Sequence, residues 1–551
     1  MHSFRLRLAS VPAPWALLVF TLFFCVVGLW LGSIQELSEH ETVLLPGSGT
    51  TIDVPYTPGA HHDNLRDSLR RLESNGLCFY AFLLGWLKLG WRSAWQLRLP
   101  CLIAGTLCLP VLYSLGRHWR GTRLGLCAAF LFGANALTLA SVAHLRFYAF
   151  AMLFELLFVL SLHRAWEQSL PGRRGSSGSW RYVAWAALWG TLAMFSMALS
   201  IFLMLTVLAV YSVASGWHRR NLYRCAFLAI WLGLCALFLH CHDTQALDRV
   251  FYASVPWWEQ GGRSLFTCGF ERSHVPDPIH EQFLQTFRGD ERLDTVMWAM
   301  LVSFGWAILA AFWQCRRKVS TTPADQSYPT PFLERLRFGL ICAPLIAAAL
   351  LLLFSHLVRY VWNVPNLYFV LPFVCLSLGY GLAEMPKLGR YAVVLCMVWS
   401  APVWGIATYI DSYGEGLAWR TLQAWRRPTD YVLVRDSSGN WWREPNPTVL
   451  VPKYATDSAL ELVLQMMDVS PIQPGQTTFV DGRFLPKLLA LSWKAPKFKG
   501  HRLWVLEKAT ERMSHPKLEE MVPAYFGDRQ HDILCHQFGR ERLWLIVDHR
   551  P

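Results

Sequence analysis

"PWALLVFTLFFCVVGLWLGSIQELSEHETVLLPG" runs from Pro14 to Gly47, and its first half decides the fold. Trp15 to Leu31 carries no charged residue, and roughly 20 apolar residues suffice for a helix to cross a bilayer. The basic start "MHSFRLRLAS" resembles the opening of a signal peptide. However, the run is long enough to span, and no small-x-small cleavage site follows it. It is read as a retained first helix. Its second half packs Glu36, Glu39, His40 and Glu41 just beyond the apolar run, where the chain leaves the lipid.

The rest of the chain repeats that pattern. Of 551 residues, 53% are hydrophobic and 16% charged, whereas a soluble chain carries roughly a quarter charged residues. The composition therefore predicts a polytopic α-helical membrane protein. The net charge is +13, but the basic residues fall in short clusters between apolar runs. That pattern suits topology signals and excludes a nucleic-acid surface. About eleven spans are expected, at 14–33, 96–116, 124–143, 145–163, 181–199, 200–216, 222–241, 294–314, 338–356, 361–383 and 391–409. The fifth and sixth are nearly continuous.

Arg117, Arg120 and Arg123, then Arg219, Arg220 and Arg224, then Arg316, Arg317 and Lys318 all fall in connections on one side. That side is cytoplasmic by the positive-inside rule, so the acidic cluster and everything after Ile410 are expected on the opposite side. The expected domains are a membrane domain over 1–409, with outer loops 34–95 and 242–294, and a soluble α/β domain over 410–551. In the first loop, Leu77 to Leu89 is apolar but too short to cross, which predicts an interfacial or re-entrant helix. Beyond 410, "DYVLV", "TVLVP", "TTFVD", "HRLWVLE" and "RLWLIVD" read as short buried strands. "TDSALELVLQMMD" and "SHPKLEEMVPAYFG" between them read as amphipathic helices. No Gly-rich phosphate loop or internal repeat is visible. None of the 14 cysteines forms a CxxC pair; Cys268 and Cys535 lie in polar outer segments, where a disulfide between them is an option.

Three groups could carry chemistry. Glu39, His40 and Glu41 are either a solvated helix end or a base or metal ligand placed at the depth of a lipid phosphate. Arg146 and Tyr148 in "SVAHLRFYAF", and Arg359 and Tyr360 in "SHLVRYVWNVP", lie at two outward turns. Arginine there is either a snorkelling anchor or a guanidinium fork for phosphate. His61, His62 and Asp63 have metal-ligand residue types without a supporting spacing.

In order along the chain stand "SEHETVL", "LCFYAFLLGWLKLGW", "LRLPCLIAGTLCLPVLYSLGRHWRG", "LRFYAF", "RYVWNVPNLYFVLPF" and "GEGLAWRTLQAWRRPTDYVLV". This order resembles the GT-C glycosyltransferases of the protein O-mannosyltransferase and aminoarabinose transferase type. Those enzymes have an acidic pair after the first helix and a juxtamembrane helix. An "RLP" opens their second span, "R-x-Y" precedes the fourth, and a late span begins "RY…P". The resemblance implies transfer of a sugar from a polyprenyl-phosphate-linked donor to a protein, lipid or glycan acceptor. It implies catalytic roles for Glu41, Glu39 and His40, and donor-phosphate contacts for Arg146, Tyr148, Arg359 and Tyr360. A divalent metal stays open, with Glu41 and His40 as its candidate ligands.

Two departures are visible: His40 stands where the first acid of the pair is usual, and "SNGLCFY" replaces a "PPLYY"-like stretch. They keep open a glycolipid transporter or flippase, or an inactive GT-C-like scaffold, as alternatives. The outer segments lack an Asn-x-Ser/Thr acceptor, because Pro447 interrupts "NPT". This favours a bacterial inner membrane with a periplasmic site and C-terminus over the endoplasmic reticulum.

Overall fold

The computed structural model describes residues 13–34, 76–89, 94–168, 176–214, 219–242, 290–321, 330–357, 365–391, 417–435, 448–450, 477–480, 502–508, 531–538 and 541–549. The helices are α1 (Ala13–Ile34), α2 (Leu77–Leu87), α3 (Ala94–Arg120), α4 (Thr122–Gly133), α5 (Ala136–Ala143), α6 (Tyr148–Glu167) and α7 (Ser176–Ser196). They continue as α8 (Ser200–Ala214), α9 (Arg219–His242), α10 (Asp290–Thr321), α11 (Thr330–Leu357) and α12 (Leu371–Glu384), with a 3-10 helix at Pro365–Val370 leading into α12. Among the described residues, six stretches are long and apolar enough to cross a membrane: Ala13–Ser33, Trp95–Arg120, Tyr148–Glu167, Arg219–Leu239, Glu334–Ser355 and Leu367–Glu384. The polytopic helical architecture expected from composition is the one observed.

Why these helices belong in lipid is visible on their outer faces. Trp15, Val19, Phe23 and Val26 of α1, and Ile230, Leu234 and Leu237 of α9, are all exposed. A surface of this kind would be costly in water and is neutral against acyl chains. α12 is the opposite case. Leu371 through Leu382 are buried on every face, so α12 runs through the middle of the bundle, against α4, α10 and α11.

One expected span is corrected. The stretch 124–143 was expected as a single helix, but it breaks between α4 and α5. Asn135 is the cause: its Oδ1 accepts the Leu137 backbone N–H at 2.8 Å, so the side chain caps a new helix in place of continuing the old one. The pair passes as a seventh span if taken together. The expected spans 181–199, 200–216 and 294–314 coincide with α7, α8 and part of α10. The span at 391–409 lies outside the described residues.

Beyond α13 (Leu417–Trp425) lie β1 (Tyr431–Arg435), β2 (Thr448–Leu450), β3 (Thr477–Val480), β4 (Arg502–Lys508), β5 (His531–Phe538) and β6 (Glu541–Asp548). They form one sheet in the order β2-β3-β1-β4-β6-β5. β2, β3, β1 and β4 are mutually parallel, while β6 runs antiparallel to both β4 and β5. Five of these strands were expected. β5 was not, because its Asp532, Leu534, Cys535 and His536 are exposed on an edge, and no buried face marks its sequence. Parallel neighbours need long crossovers; the expected amphipathic helix 456–468 falls in the connection from β2 to β3 and the other, 514–527, between β4 and β5, both outside the described residues.

"WRRPTDYVLV" leads into the sheet through a buried acid. Asp430 Oδ2 accepts the Arg427 backbone N–H and the Trp504 indole N–H, each at 2.8 Å, and lies 3.3 Å from Arg502 Nη2. A carboxylate with three donors is well satisfied in the interior. It ties the lead segment to β4.

Candidate functional site

The candidate site starts at the end of α1. Gly32 is in the last turn of that helix, and its carbonyl is one of the groups a helix C-terminus leaves without an intrahelical donor. Arg98 supplies the donor: its Nη1 lies 3.1 Å from Gly32 O. Arg98 is almost fully buried. One helical turn further along α3, on the same face, Cys101 Sγ donates to the Arg146 carbonyl at 3.2 Å. The first two turns of α3 therefore hold both the α1 exit and the turn bearing Arg146.

That turn is tight, with Arg146 N donating to His144 O at 2.9 Å. Arg146 and Tyr148 are half-buried in it. Tyr148 stacks on Tyr368 of the 3-10 helix, with ring centroids 4.6 Å apart and planes at 26°. Offset stacking at this distance is a favourable aromatic geometry. It brings the "RFY" turn beside the segment that follows Arg359 and Tyr360 in sequence.

α2 closes the group from the side. Its N-cap, Gly76, has φ +99°, and a Cβ there would stand 2.8 Å from both Phe147 and Tyr80. Only glycine supports this conformation without strain. The "SNG" of the departing motif is thus the residue choice that lets α2 begin against the Arg146 turn. Phe79 and Phe82 each pack on Phe150 with centroids 5.4 Å apart, and Trp86 Nε1 donates to Gln96 O at 3.0 Å. The short apolar helix expected at 77–89 is therefore docked by rings rather than spanning.

Of the sequence-derived site residues, Arg146 and Tyr148 are brought into this constellation. Glu39, His40, Glu41, Arg359 and Tyr360 lie outside the described residues, as do His61, His62 and Asp63. Among the described residues, no group of His, Cys, Asp and Glu could hold a metal ion. Arg98 and Tyr368 were not singled out as site residues. The signal for Arg98 was present: an arginine at the start of an apolar run, within the "RLP" motif. Tyr368 had no local signal, since its importance lies in a stack across more than two hundred residues of sequence.

A second missed group is Glu155, two turns into α6 from Tyr148. It is fully buried, and neither carboxyl oxygen has a hydrogen-bond partner among the described residues. Ser200, where α8 begins after the Met197–Leu199 turn, faces it without closing a bond. Such a group within an apolar bundle is costly.

Residues 75–241 match the family model described as dolichyl-phosphate-mannose-protein mannosyltransferase. No curated protein sequence matches the chain. Among solved structures, the chain is similar to ArnT from Cupriavidus metallidurans bound to undecaprenyl phosphate. Identity there is 13%, the TM-score is 0.40, and the match covers 97% of this chain and 98% of that one. It is also similar to the apo oligosaccharyltransferase of Archaeoglobus fulgidus, at 12% identity and a TM-score of 0.46, covering 89% of this chain and 69% of that one. Over the segment that holds α2, Arg98 and the Arg146–Tyr148 turn, the chain is thus similar to the dolichyl-phosphate-mannose-protein mannosyltransferase family.

Proposed function

We propose that this chain is an integral membrane glycosyltransferase that moves a sugar from a polyprenyl-phosphate carrier to a protein, lipid or glycan acceptor. The observation that carries the reading is the family match over 75–241. It falls on the stretch in which Arg98, Arg146 and Tyr148 are gathered at the exit of α1. The reaction is read as a displacement at the anomeric carbon. Glu41 or Glu39 takes the proton from the acceptor hydroxyl as that oxygen bonds to the sugar. The sugar–phosphate bond breaks, and the carrier phosphate leaves with its negative charge. Arg146 and Arg359 stabilise that charge, with Tyr148 and Tyr360 as additional hydrogen-bond donors. His40 holds the place between the two acids. The site and the C-terminal sheet are read as extracytoplasmic, in a bacterial inner membrane, from the placement of lysine and arginine.

The test is transfer from a short-chain polyprenyl-phosphate sugar by the purified protein, followed by release of the carrier phosphate. Glu41→Gln keeps the size of the side chain and removes the base. Turnover should fall at least ~100-fold while donor binding persists. If Glu41→Gln and Glu39→Gln both transfer at near wild-type rates, the acids are a solvated helix end and the assignment fails.

A further inference from the structure

Far from the candidate site, at the end of the bundle where α7 and α9 begin, arginines gather on two helices that carry no acid of their own; the Glu167 carboxylate at the end of α6 lies beside His163 at 3.5 Å. α7 and α9 pack in parallel. Trp180 meets Phe227 (6.2 Å between centroids), Trp231 Nε1 donates to Thr191 Oγ1 at 2.8 Å, and Phe195 stacks on Phe238 (5.7 Å). Partners thus ascend together along both helices, and both N-termini lie at the same end. Each N-terminus carries partial positive charge, and neither helix contains a carboxylate.

Onto this end the sequence adds Arg219 and Arg220 in the first turn of α9 and Arg181 near the start of α7, all exposed. Cations are disfavoured at helix N-termini, so these positions run against the intrinsic preference. Arg224 stands one turn deeper. It is buried and set by Ser179 Oγ at 2.6 Å and Asn221 Oδ1 at 3.4 Å, with its guanidinium 5.7 Å from the Trp180 ring centroid. Its field is reinforced by Arg220. Above the arginines, Trp185, Ile230 and Leu234 present an exposed apolar face of acyl-chain character.

We propose that the α7–α9 end binds an anionic phospholipid. Arg219, Arg220 and Arg181 engage the headgroup phosphate, Arg224 acts as a fixed charge behind them, and the tails lie along the exposed α7–α9 face. Basic pockets between membrane helices bind such headgroups by these forces, and two helix N-termini add to the field. The site is distinct from the proposed carrier-phosphate site at the other end of the helices and does not depend on it.

The experiment uses the full-length protein in neutral detergent, with lipid binding followed by native mass spectrometry and thermal unfolding. Phosphatidylglycerol should bind and raise the melting temperature, and phosphatidylcholine should do neither. Arg219→Gln/Arg220→Gln should weaken phosphatidylglycerol binding roughly thirtyfold, taking about 1 kcal/mol for each arginine at a membrane surface and 1.4 kcal/mol per tenfold. Arg219→Lys/Arg220→Lys should retain most of the binding, which separates lost charge from lost fold. Equal binding of the two lipids, or unchanged binding in the glutamine variant, overturns the proposal. Inorganic phosphate that protects as well as phosphatidylglycerol also overturns it, because the site would then be one for free anions.

Discussion

α3 joins two ends of the bundle that are held by different forces. Arg98 and Arg120 stand on it roughly 33 Å apart. At the far end, Arg120 Nε and Nη2 donate to the two oxygens of Glu384 at 2.6 and 2.9 Å, and Nη1 donates to Gln314 Oε1 at 2.7 Å. Gln314 Nε2 returns to Glu384 at 2.9 Å, and the Tyr380 hydroxyl adds a bond of 3.1 Å to Gln314 Oε1. This is a bidentate ion pair inside a closed network, and it fastens α3, α10 and α12 to one another. At the near end, Arg98 and Cys101 donate to main-chain carbonyls, and rings do the packing. A frame of carbonyls and rings keeps its shape whatever charge enters beside it. A charge-matched frame would respond to each ligand ion. The difference suits the carrier-phosphate role proposed for the near end.

The largest expected effect is at the charged end. Glu384→Ala leaves the Arg120 fork without its carboxylate and should cost about 3 kcal/mol of stability, read as thermal unfolding in detergent. Glu384→Gln, which keeps an acceptor, should lose less. Equal melting of all three proteins would mean that the network is not the clamp.

At the near end the sensitive position is a backbone one. Gly76→Ala meets Phe147 and Tyr80 and must hold a left-handed φ, so about 2 kcal/mol is expected. Hydrogen exchange should show the loss locally, in α2 and the 144–148 turn, while the Arg120 network stays protected. Uniform loosening of both ends would erase the distinction between them.

The smallest effect has the opposite sign. Glu155→Leu removes two carboxyl oxygens that have no hydrogen-bond partner among the described residues and should stabilise the protein by about 1 kcal/mol. A loss of stability would show that Glu155 has a partner among the residues beyond those described, and that the near end also relies on a charge.

The sequence by itself determined the membrane class, the positions of most helices among the described residues, the short helix after Gly76 and five of the six described strands. Each of these is written locally. An apolar run of spanning length, or a short buried strand between turn residues, needs no distant partner to be recognised. It also marked Arg146 and Tyr148, because arginine is scarce at such a turn. Only the tertiary structure decided which arginine does what. Arg120 and Glu384 are separated by 264 positions, and Arg98 reaches a carbonyl 66 positions away. Nothing in the neighbourhood of either arginine announces its partner. The break at Asn135, the edge strand β5 and the burial of Glu155 were illegible for the same reason. Each depends on what the folded chain places, or fails to place, beside a group, and local composition carries no record of that.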